Sequence, residues 1–481
     1  MKLKAVYSFF FLLTVLIFRV LLAGESTGDI EKGKVIEKIV CHHDSSQSYA
    51  LHLPTAYANG KKWPVLFAFD PAARVTLPLK LFKTAAEKYN YIVVCPTNVK
   101  NGPRKPAVDA MRAVWEDVCH RFTVDKQRLY AAGFSGGSRV STFFNMAVKN
   151  PVRGIIGCGA GLSQAIKPQQ IAPTSYFGMV GFADFNYREM VELDQAFDRH
   201  GVTHRFIYFD ANHRWPSESF CSRAIEWMEL QAIKEGVAPQ NQALADVIFK
   251  KELNAAREIE ATGSIYFAVL AYEAVARDFK DTKPGAELDK IEQKITRLKE
   301  TREFKKFQKE EQKRLQKEKD YIKTFAGTFA FLKQSNPRDV RLQKILVSLG
   351  IKLLEKDVKK KKNIYDAGLA ERLLYNLGNQ ANREGTVFLK KGDYKRAVFF
   401  LEIAAASGKQ TYFYSHVLYK LASAYAVQDK KKKALKLFKE AVENGFTYLT
   451  AIEANKSLDV LRNNPRFKRI IQQLKEKNKK E

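Results

Sequence analysis

Arg128-Leu-Tyr-Ala-Ala-Gly-Phe-Ser-Gly-Gly-Ser-Arg-Val-Ser-Thr-Phe-Phe-Asn-Met-Ala147 decides how the first half of this chain is read. Leu129 to Ala132 is apolar and bounded, as a buried strand is. Gly133-Phe134-Ser135-Gly136-Gly137 then turns sharply. Val140, Phe143, Phe144 and Ala147 recur at three-to-four spacing, which predicts a helical face. Between strand and helix, Gly-x-Ser-x-Gly is the pattern of a nucleophile elbow. Such a turn forces the serine backbone into strain, and Gly133 and Gly137 leave room where side chains would clash. The helix that starts after Ser135 aims free N–H groups at the same spot.

Strand and helix patterns alternate on either side of this stretch. Gln47–Pro54 alternates apolar and polar, as an edge strand does. Trp63–Asp70, Tyr91–Pro96, Arg153–Cys158, Ser175–Gly181 and His204–Asp210 are apolar runs of strand length. Helical stripes lie at Leu79–Tyr89, Ala107–Phe122, Met190–His200 and Ser217–Gly236. Strands apolar on both faces predict a mostly parallel sheet covered by helices on both sides. Active sites in such sheets sit at the carboxyl ends of the strands, where Ser135 falls.

A serine hydroxyl needs a base, and the base a carboxylate. In the order Ser, acid, His, the base is expected at His213, in Asp210-Ala-Asn-His-Arg-Trp-Pro216 directly after a strand. His204 starts that strand at the wrong end of the sheet, His200 ends a helix, and His416 lies far downstream. The acid is expected at Asp184, which follows the preceding strand; Asp194 and Asp198 fall inside the next helix. The oxyanion donors are expected at the Gly136 N–H and at Ala72 or Ala73, after the Trp63–Asp70 strand, since Pro71 has no N–H. Asp70 is placed to hold that loop by local hydrogen bonds; a role toward substrate is the other reading.

On Ala132-Gly-Phe-Ser-Gly-Gly137, Gly181-x-x-Asp184 and Asn212-His-Arg-Trp-Pro216, residues 47–236 resemble an α/β-hydrolase. The likeness is greatest to the polyhydroxybutyrate depolymerase and feruloyl esterase group of carboxylesterases. That resemblance implies ester hydrolysis through an acyl-enzyme on Ser135, with Asp184 and His213 completing a triad and no cofactor or metal. The group's substrates span polyesters, aryl esters, sugar acetates and peptides, so an ester is the implied substrate and a serine peptidase of the same fold is the alternative. No long insertion separates the strands, so no lid is expected.

From Asn241 strand patterns vanish. Leu288, Ile291, Ile295 and Leu298 keep a 3-4-3 spacing, but the stripe thins through Lys305–Lys319, which argues against a long coiled coil. Gly385, Phe388, Ala397, Leu401 and Ala404 match Ala422, Tyr425, Ala434, Phe438 and Ala441 at a constant offset. Small residues at fixed positions let paired helices touch, and the pattern resembles tetratricopeptide repeats without their usual Trp and Pro. The resemblance implies a protein or peptide partner on a concave face; mechanical support is the other reading, and a non-catalytic scaffold the extreme form of it.

The expected organisation is an export signal at 1–24, a hydrolase domain at 36–238, a Lys-rich helical region at 241–365 and repeats at 366–475. The signal expectation rests on Met1-Lys-Leu-Lys4, an apolar run from Ala5 to Leu22 and small residues after it. Arg19 interrupts that run and argues against a membrane anchor, so a periplasmic or secreted protein is expected. Five cysteines, all before residue 222 and none in C-x-x-C spacing, support neither zinc nor a redox pair and leave at least one thiol unpaired. The net charge of +29 is uneven: residues 241–481 hold 52 Lys and Arg against 31 acids. That is a solvated helical surface capable of weak contact with anionic surfaces; Lys runs without interleaved aromatics exclude specific nucleic-acid reading.

Overall fold

The computed structural model describes residues 30–171, 173–360, 363–409 and 411–478; the expected export signal at 1–24 lies outside them. Eight strands form one sheet: β1 (Val35–Val40), β2 (Ser48–His52), β3 (Trp63–Phe69), β4 (Ile92–Pro96), β5 (Val124–Phe134), β6 (Gly154–Cys158), β7 (Ser175–Gly181) and β8 (His204–Phe209). Their order is β1-β2-β4-β3-β5-β6-β7-β8. β1 and β2 pair antiparallel, and β4 through β7 are parallel neighbours. The helices between them are α1 (Thr76–Tyr89), α2 (Arg104–Arg121), α3 (Gly136–Ser141), α4 (Phe144–Val148), α5 (Tyr187–Arg199) and α6 (Glu218–Lys234). An all-helical region follows, from Gln242 to Asn478. This is the α/β-hydrolase architecture with a helical extension.

The apolar runs explain the sheet. Val65, Phe67, Ile92, Val94, Leu129 and Ala131 pack with Val114, Val118, Phe144 and Phe197 from the helices on one face. The alternate residues Leu66, Ala68, Val93 and Tyr130 are equally buried, as strands covered on both sides require.

Two local readings are corrected. β2 is not an edge: it lies between β1 and β4. Its polar positions are buried and paired, Ser48 with Thr97 at 2.7 Å and His52 with Glu87 at 3.0 Å. The helix after Ser135 is also not continuous. Ser141 and Thr142 turn their hydroxyls back onto the carbonyls of Ser138 and Arg139, at 2.6 and 2.7 Å, and the chain breaks before restarting at Phe144.

Contacts divide the chain into two compact units. One holds the chain up to Met179, Glu192–Phe206 and Trp215–Lys250. The other holds Val180–Val191, Ile207–Arg214 and everything from Lys251 onward. The division falls within α7 (Gln242–Ala261), and the second unit contains α8 (Ile265–Phe279), α9 (Gly285–Glu300), α10 (Arg302–Gln334), α11 (Leu342–Ser348), α12 (Ile351–Lys360), α13 (Ile364–Lys390), α14 (Tyr394–Ser407), α15 (Tyr414–Val427), α16 (Lys431–Glu443), α17 (Leu449–Glu453) and α18 (Pro465–Asn478). The residues at constant offset fall on two successive helix pairs, α13 with α14 and α15 with α16. Ala397, Leu401 and Ala404 are fully buried in the first, and Ala434, Phe438 and Ala441 in the second. A Cβ on Gly385 would come 2.7 Å from Leu401 Cγ, so the glycine is what lets α14 lie so close.

α10 runs unbroken through the Lys-rich stretch. Its buried face there is charged rather than apolar: Glu311, Arg314 and Glu318. Arg314 meets Asp366 at 2.6 Å, and Arg372 meets Glu318 at 2.6 Å with both side chains almost fully buried. Arg372 also donates to the Phe182 carbonyl. Removing one partner of such a pair strands a charge away from water. Arg372→Ala should therefore lower the unfolding free energy by about 3–5 kcal/mol, read as a fall in the urea midpoint.

Candidate active site

Ser135 follows the last residue of β5 with φ 54 and ψ −118, a backbone conformation that costs energy for any residue but glycine. Its N–H is tied to the Cys158 carbonyl at 2.8 Å. The surrounding glycines are demanded by backbone, not by flexibility. A Cβ on Gly137 would lie 2.0 Å from the Phe69 carbonyl oxygen, and one on Gly133 2.2 Å from Gly137. Gly136 opens α3, so its N–H is among those with no partner in the helix.

Asp184 and His213 follow the carboxyl ends of β7 and β8, and both belong to the second unit. His213 Nδ1 donates to Asp184 Oδ2 at 2.8 Å. The other carboxylate oxygen accepts the Asn186 N–H at 2.9 Å, so Asp184, 1% exposed, is fixed at both ends. The loops that carry the pair are zipped together by backbone. Phe182 N–H reaches the Phe209 carbonyl at 2.8 Å, and Ala183 N–H the Ala211 carbonyl at 3.0 Å. Gly181 makes this possible, since a Cβ there would sit 2.1 Å from the Ala211 oxygen.

The helical region grips the same acid-bearing loop. Gly368 of α13 lies under the Phe182 carbonyl, where a Cβ would come within 2.7 Å of the oxygen. The Phe182 ring packs on Phe267 and Tyr365, with centroids 4.9 and 4.8 Å away. Tyr187 donates to Glu311 at 2.8 Å and lies under the Arg372 guanidinium. Phe185 stacks flat on Tyr375 at 4.1 Å while its other neighbour is the His213 imidazole at 4.0 Å. None of these partners was visible in the sequence, because they come from residues 267 to 375 with no motif of their own.

The oxyanion expectation needs a correction. The Ala72 N–H donates to Asp70 Oδ1 at 2.8 Å and the Ala73 N–H to the Asp70 carbonyl at 3.0 Å, so both are already spent. Asn101, which sequence reasoning did not single out, stands beside the elbow. Its carboxamide oxygen would lie 1.8 Å from a Cβ on Gly136, which places the amide group against the elbow, and its N–H ties the loop to the Pro71 carbonyl at 2.9 Å. A lone Asn in a Gly-Pro loop carries no spacing signal by which it could have been found.

Asp70 is a structural clamp. It accepts the Ala72 and Arg74 N–H groups, the Arg74 guanidinium and the Trp215 indole N–H at 2.8 Å. Burial alone would raise its carboxyl; the bonds from Arg74, Trp215 and the backbone outweigh it and hold the group below its ordinary value. Trp215 also packs on Phe134, the residue before Ser135. Asp194 and Asp198 are occupied elsewhere, 3.1 and 3.4 Å from His204 Nε2, while His204 Nδ1 bonds to the Val202 carbonyl. These three side chains are the described residues whose donor atoms gather closely enough for a metal ion. All five cysteines are unpaired, and burial pushes their thiols up, Cys41 to about 12 and Cys119 to about 11, which keeps them protonated and inert. Among the described residues no helix is long and apolar enough to cross a membrane.

No family model matches the chain, and neither does any curated protein. Among solved structures it is similar to the fluorophosphonate-binding serine hydrolase FphF of Staphylococcus aureus, with 16% identity, covering 38% of this chain and 92% of that one, TM-score 0.31. It is also similar to the S-formylglutathione hydrolase FrmB of the same organism (15% identity, 40% and 98% covered, TM-score 0.33) and to a ferulic acid esterase (17% identity, 40% and 94% covered, TM-score 0.33).

The Asp70 clamp sets a pH dependence. Its folded-state value lies below the unfolded one, so its contribution to stability is complete above the ordinary 3.8 and is lost as pH falls through the folded value. Asp70→Asn should therefore be less stable than the wild type at neutral pH and lose less on acidification, measured by urea midpoints at neutral pH and well below 3.8. Trp215→Phe, which removes one charged hydrogen bond, should cost about 1.5–3 kcal/mol at neutral pH.

Proposed function

We propose that the protein is a serine hydrolase that cleaves carboxylic esters through an acyl-enzyme on Ser135. The observation that carries this reading is the 2.8 Å bond between His213 Nδ1 and the buried Asp184 carboxylate. It fixes the tautomer that leaves Nε2 as the base, and it stabilises the imidazolium that forms. The strained backbone of Ser135, at the end of a central parallel strand, supplies the nucleophile such a pair requires.

In the reaction His213 Nε2 takes the Ser135 hydroxyl proton as Oγ bonds to the ester carbonyl carbon. The negative charge moves to the carbonyl oxygen, which the Gly136 N–H stabilises. The carbon–oxygen bond to the alcohol then breaks, and the imidazolium gives that alcohol its proton. Water, deprotonated by the same imidazole, attacks the acyl-enzyme and releases the acid and Ser135. Export to the periplasm or medium, tetratricopeptide-type repeats in α13–α16 and a peptide partner on them belong to the same proposal and concern where the enzyme works rather than how.

Ser135→Ala and His213→Ala should each abolish hydrolysis of short p-nitrophenyl esters, and the double variant should lose no more than either alone, because the two act as one unit. Labelling of Ser135 by a fluorophosphonate should disappear in both. Full activity in Ser135→Ala would overturn the reading. Asp184→Asn should lower kcat by about 10⁴.

A further inference from the structure

Three of the chain's eight histidines meet in one patch on the first compact unit. His42 and His43 sit in the turn between β1 and β2, and His120 is the penultimate residue of α2. The ring centroids of His42 and His43 are 4.8 Å apart, those of His42 and His120 5.4 Å, and those of His43 and His120 5.6 Å. All three side chains are exposed. We infer that these imidazoles are the protein ligands of a transition-metal site that takes a divalent ion of the zinc kind. Neither the triad nor ester hydrolysis enters the argument.

Spacing is the first ground. Zinc binds an imidazole nitrogen at about 2.0–2.1 Å and the ring centre lies roughly 1 Å behind it, so three rings around one tetrahedral ion have centroids roughly 5 Å apart. All three pairs have separations of that size. Their nitrogens are not drawn together as the donor atoms of Asp194, Asp198 and His204 are. The motion this requires is rotation about Cβ–Cγ, a soft torsion for an exposed imidazole, and the ring centre stays near that axis while the nitrogens swing.

The second ground is a fixed backbone beneath uncommitted side chains. Asp117, 1% exposed and three residues before His120, accepts the His42 N–H at 2.7 Å, the Tyr49 hydroxyl at 2.8 Å and the Arg121 guanidinium at 2.8 Å. Arg121 also donates to the Val40 carbonyl at 3.2 Å. The turn is closed on itself, from the Cys41 N–H to the Gln47 carbonyl at 3.0 Å and from the Gln47 N–H to the Asp44 carbonyl at 2.9 Å. One buried carboxylate thus holds side by side two segments 75 residues apart, so an ion has little backbone left to order. Among the described residues none of the three imidazoles has a hydrogen-bond or ion-pair partner. By contrast His52, His204 and His213 each face a carboxylate at 3.1 Å or less.

The donor set selects the ion. Both Asp117 oxygens are spent, which leaves nitrogen as the donor. Imidazole suits Zn²⁺, Ni²⁺ and Cu²⁺, whereas Mg²⁺ and Ca²⁺ seek oxygen. An ion here would pin the β1–β2 turn to the end of α2.

The test titrates Zn²⁺ by calorimetry into the full chain after treatment with EDTA. The wild type should bind an ion that excess Mg²⁺ does not displace. His42→Ala, His43→Ala and His120→Ala change exposed side chains, so the fold is kept, as unchanged circular dichroism would verify. Each should weaken binding by more than about tenfold, a loss already caused by disturbing a mere outer partner of a metal ligand. The three changes together should abolish that binding. Zn²⁺ at about a hundredfold excess over Kd should raise the melting temperature of the wild type by about 5 °C and leave that of the triple variant unmoved. Absence of Zn²⁺ binding in the wild type, or undiminished binding in the triple variant, would overturn the site. Binding that survives in the triple variant and is lost on Asp194→Asn would place the ion at the carboxylate cluster and overturn it equally.

Discussion

Backbone approach closer than any side chain permits is the constraint on which this site depends. It occurs twice, once beside Ser135 and once beside Asp184 and His213. At the elbow Gly137 lies against the Phe69 carbonyl, which brings the end of β3 and the start of α3 together and leaves Ser135 the strained residue between them. At the other place Gly181 lies against the Ala211 carbonyl, which lets the loops after β7 and β8 exchange hydrogen bonds and bring Asp184 to His213. In both, the glycine sits a few residues from the side chain it helps to place and meets a backbone carbonyl instead. Tertiary contacts elsewhere in the fold sustain the strain at Ser135, as strained functional residues require.

The sheet was legible in the sequence for one reason: parallel strands buried on both faces are written as unbroken apolar runs, and those from Trp63, Tyr91, Leu129 and Ser175 were all of that kind. β1 was not legible, because a register shift between Ile36 and Ile39 breaks its alternation and much of it is exposed. β2 looked like an edge because Ser48 and His52 are polar, yet both are buried against partners far away in the chain. The Lys305–Lys319 stretch hid its buried face in the same way. Glu311, Arg314 and Glu318 look like solvent residues until Tyr187, Asp366 and Arg372 are known to meet them. Polar burial is invisible to periodicity, since the partners that make it affordable lie 52 to 124 residues off in the chain.

The helical region changes meaning once those partners are known. Its repeated small residues, read from spacing alone, suggest a surface for another protein. Its contacts show something more local: α8, α10 and α13 together hold the segment from Phe182 to Tyr187, through Phe267, Glu311, Gly368 and Arg372. Asp184 is inside that segment. The side chain that orients the imidazole is thus held by packing from helices encoded more than 80 residues downstream, and a truncation after the sheet would remove its support. One helix makes both kinds of contact: α13 grips the loop with residues 368 to 375 near its start and pairs with α14 through Gly385 near its end.

Two buried carboxylates, Asp70 and Asp184, each follow a parallel strand at the end of the sheet where Ser135 lies, and their partners separate their roles. Asp70 is saturated: two backbone N–H groups, a guanidinium and an indole N–H occupy both its oxygens, and they hold it ionised below the ordinary range. A carboxylate with no lone pair to spare can only be a clamp, and what it clamps includes the Ala72 N–H that the sequence offered to an oxyanion. Asp184 gives one oxygen to a single backbone N–H and keeps the other for the imidazole. The distinction is one of unspent hydrogen-bonding capacity: Asp70 is saturated by the loop it clamps, while Asp184 keeps one oxygen for the imidazole, a difference that their near-identical burial does not reveal.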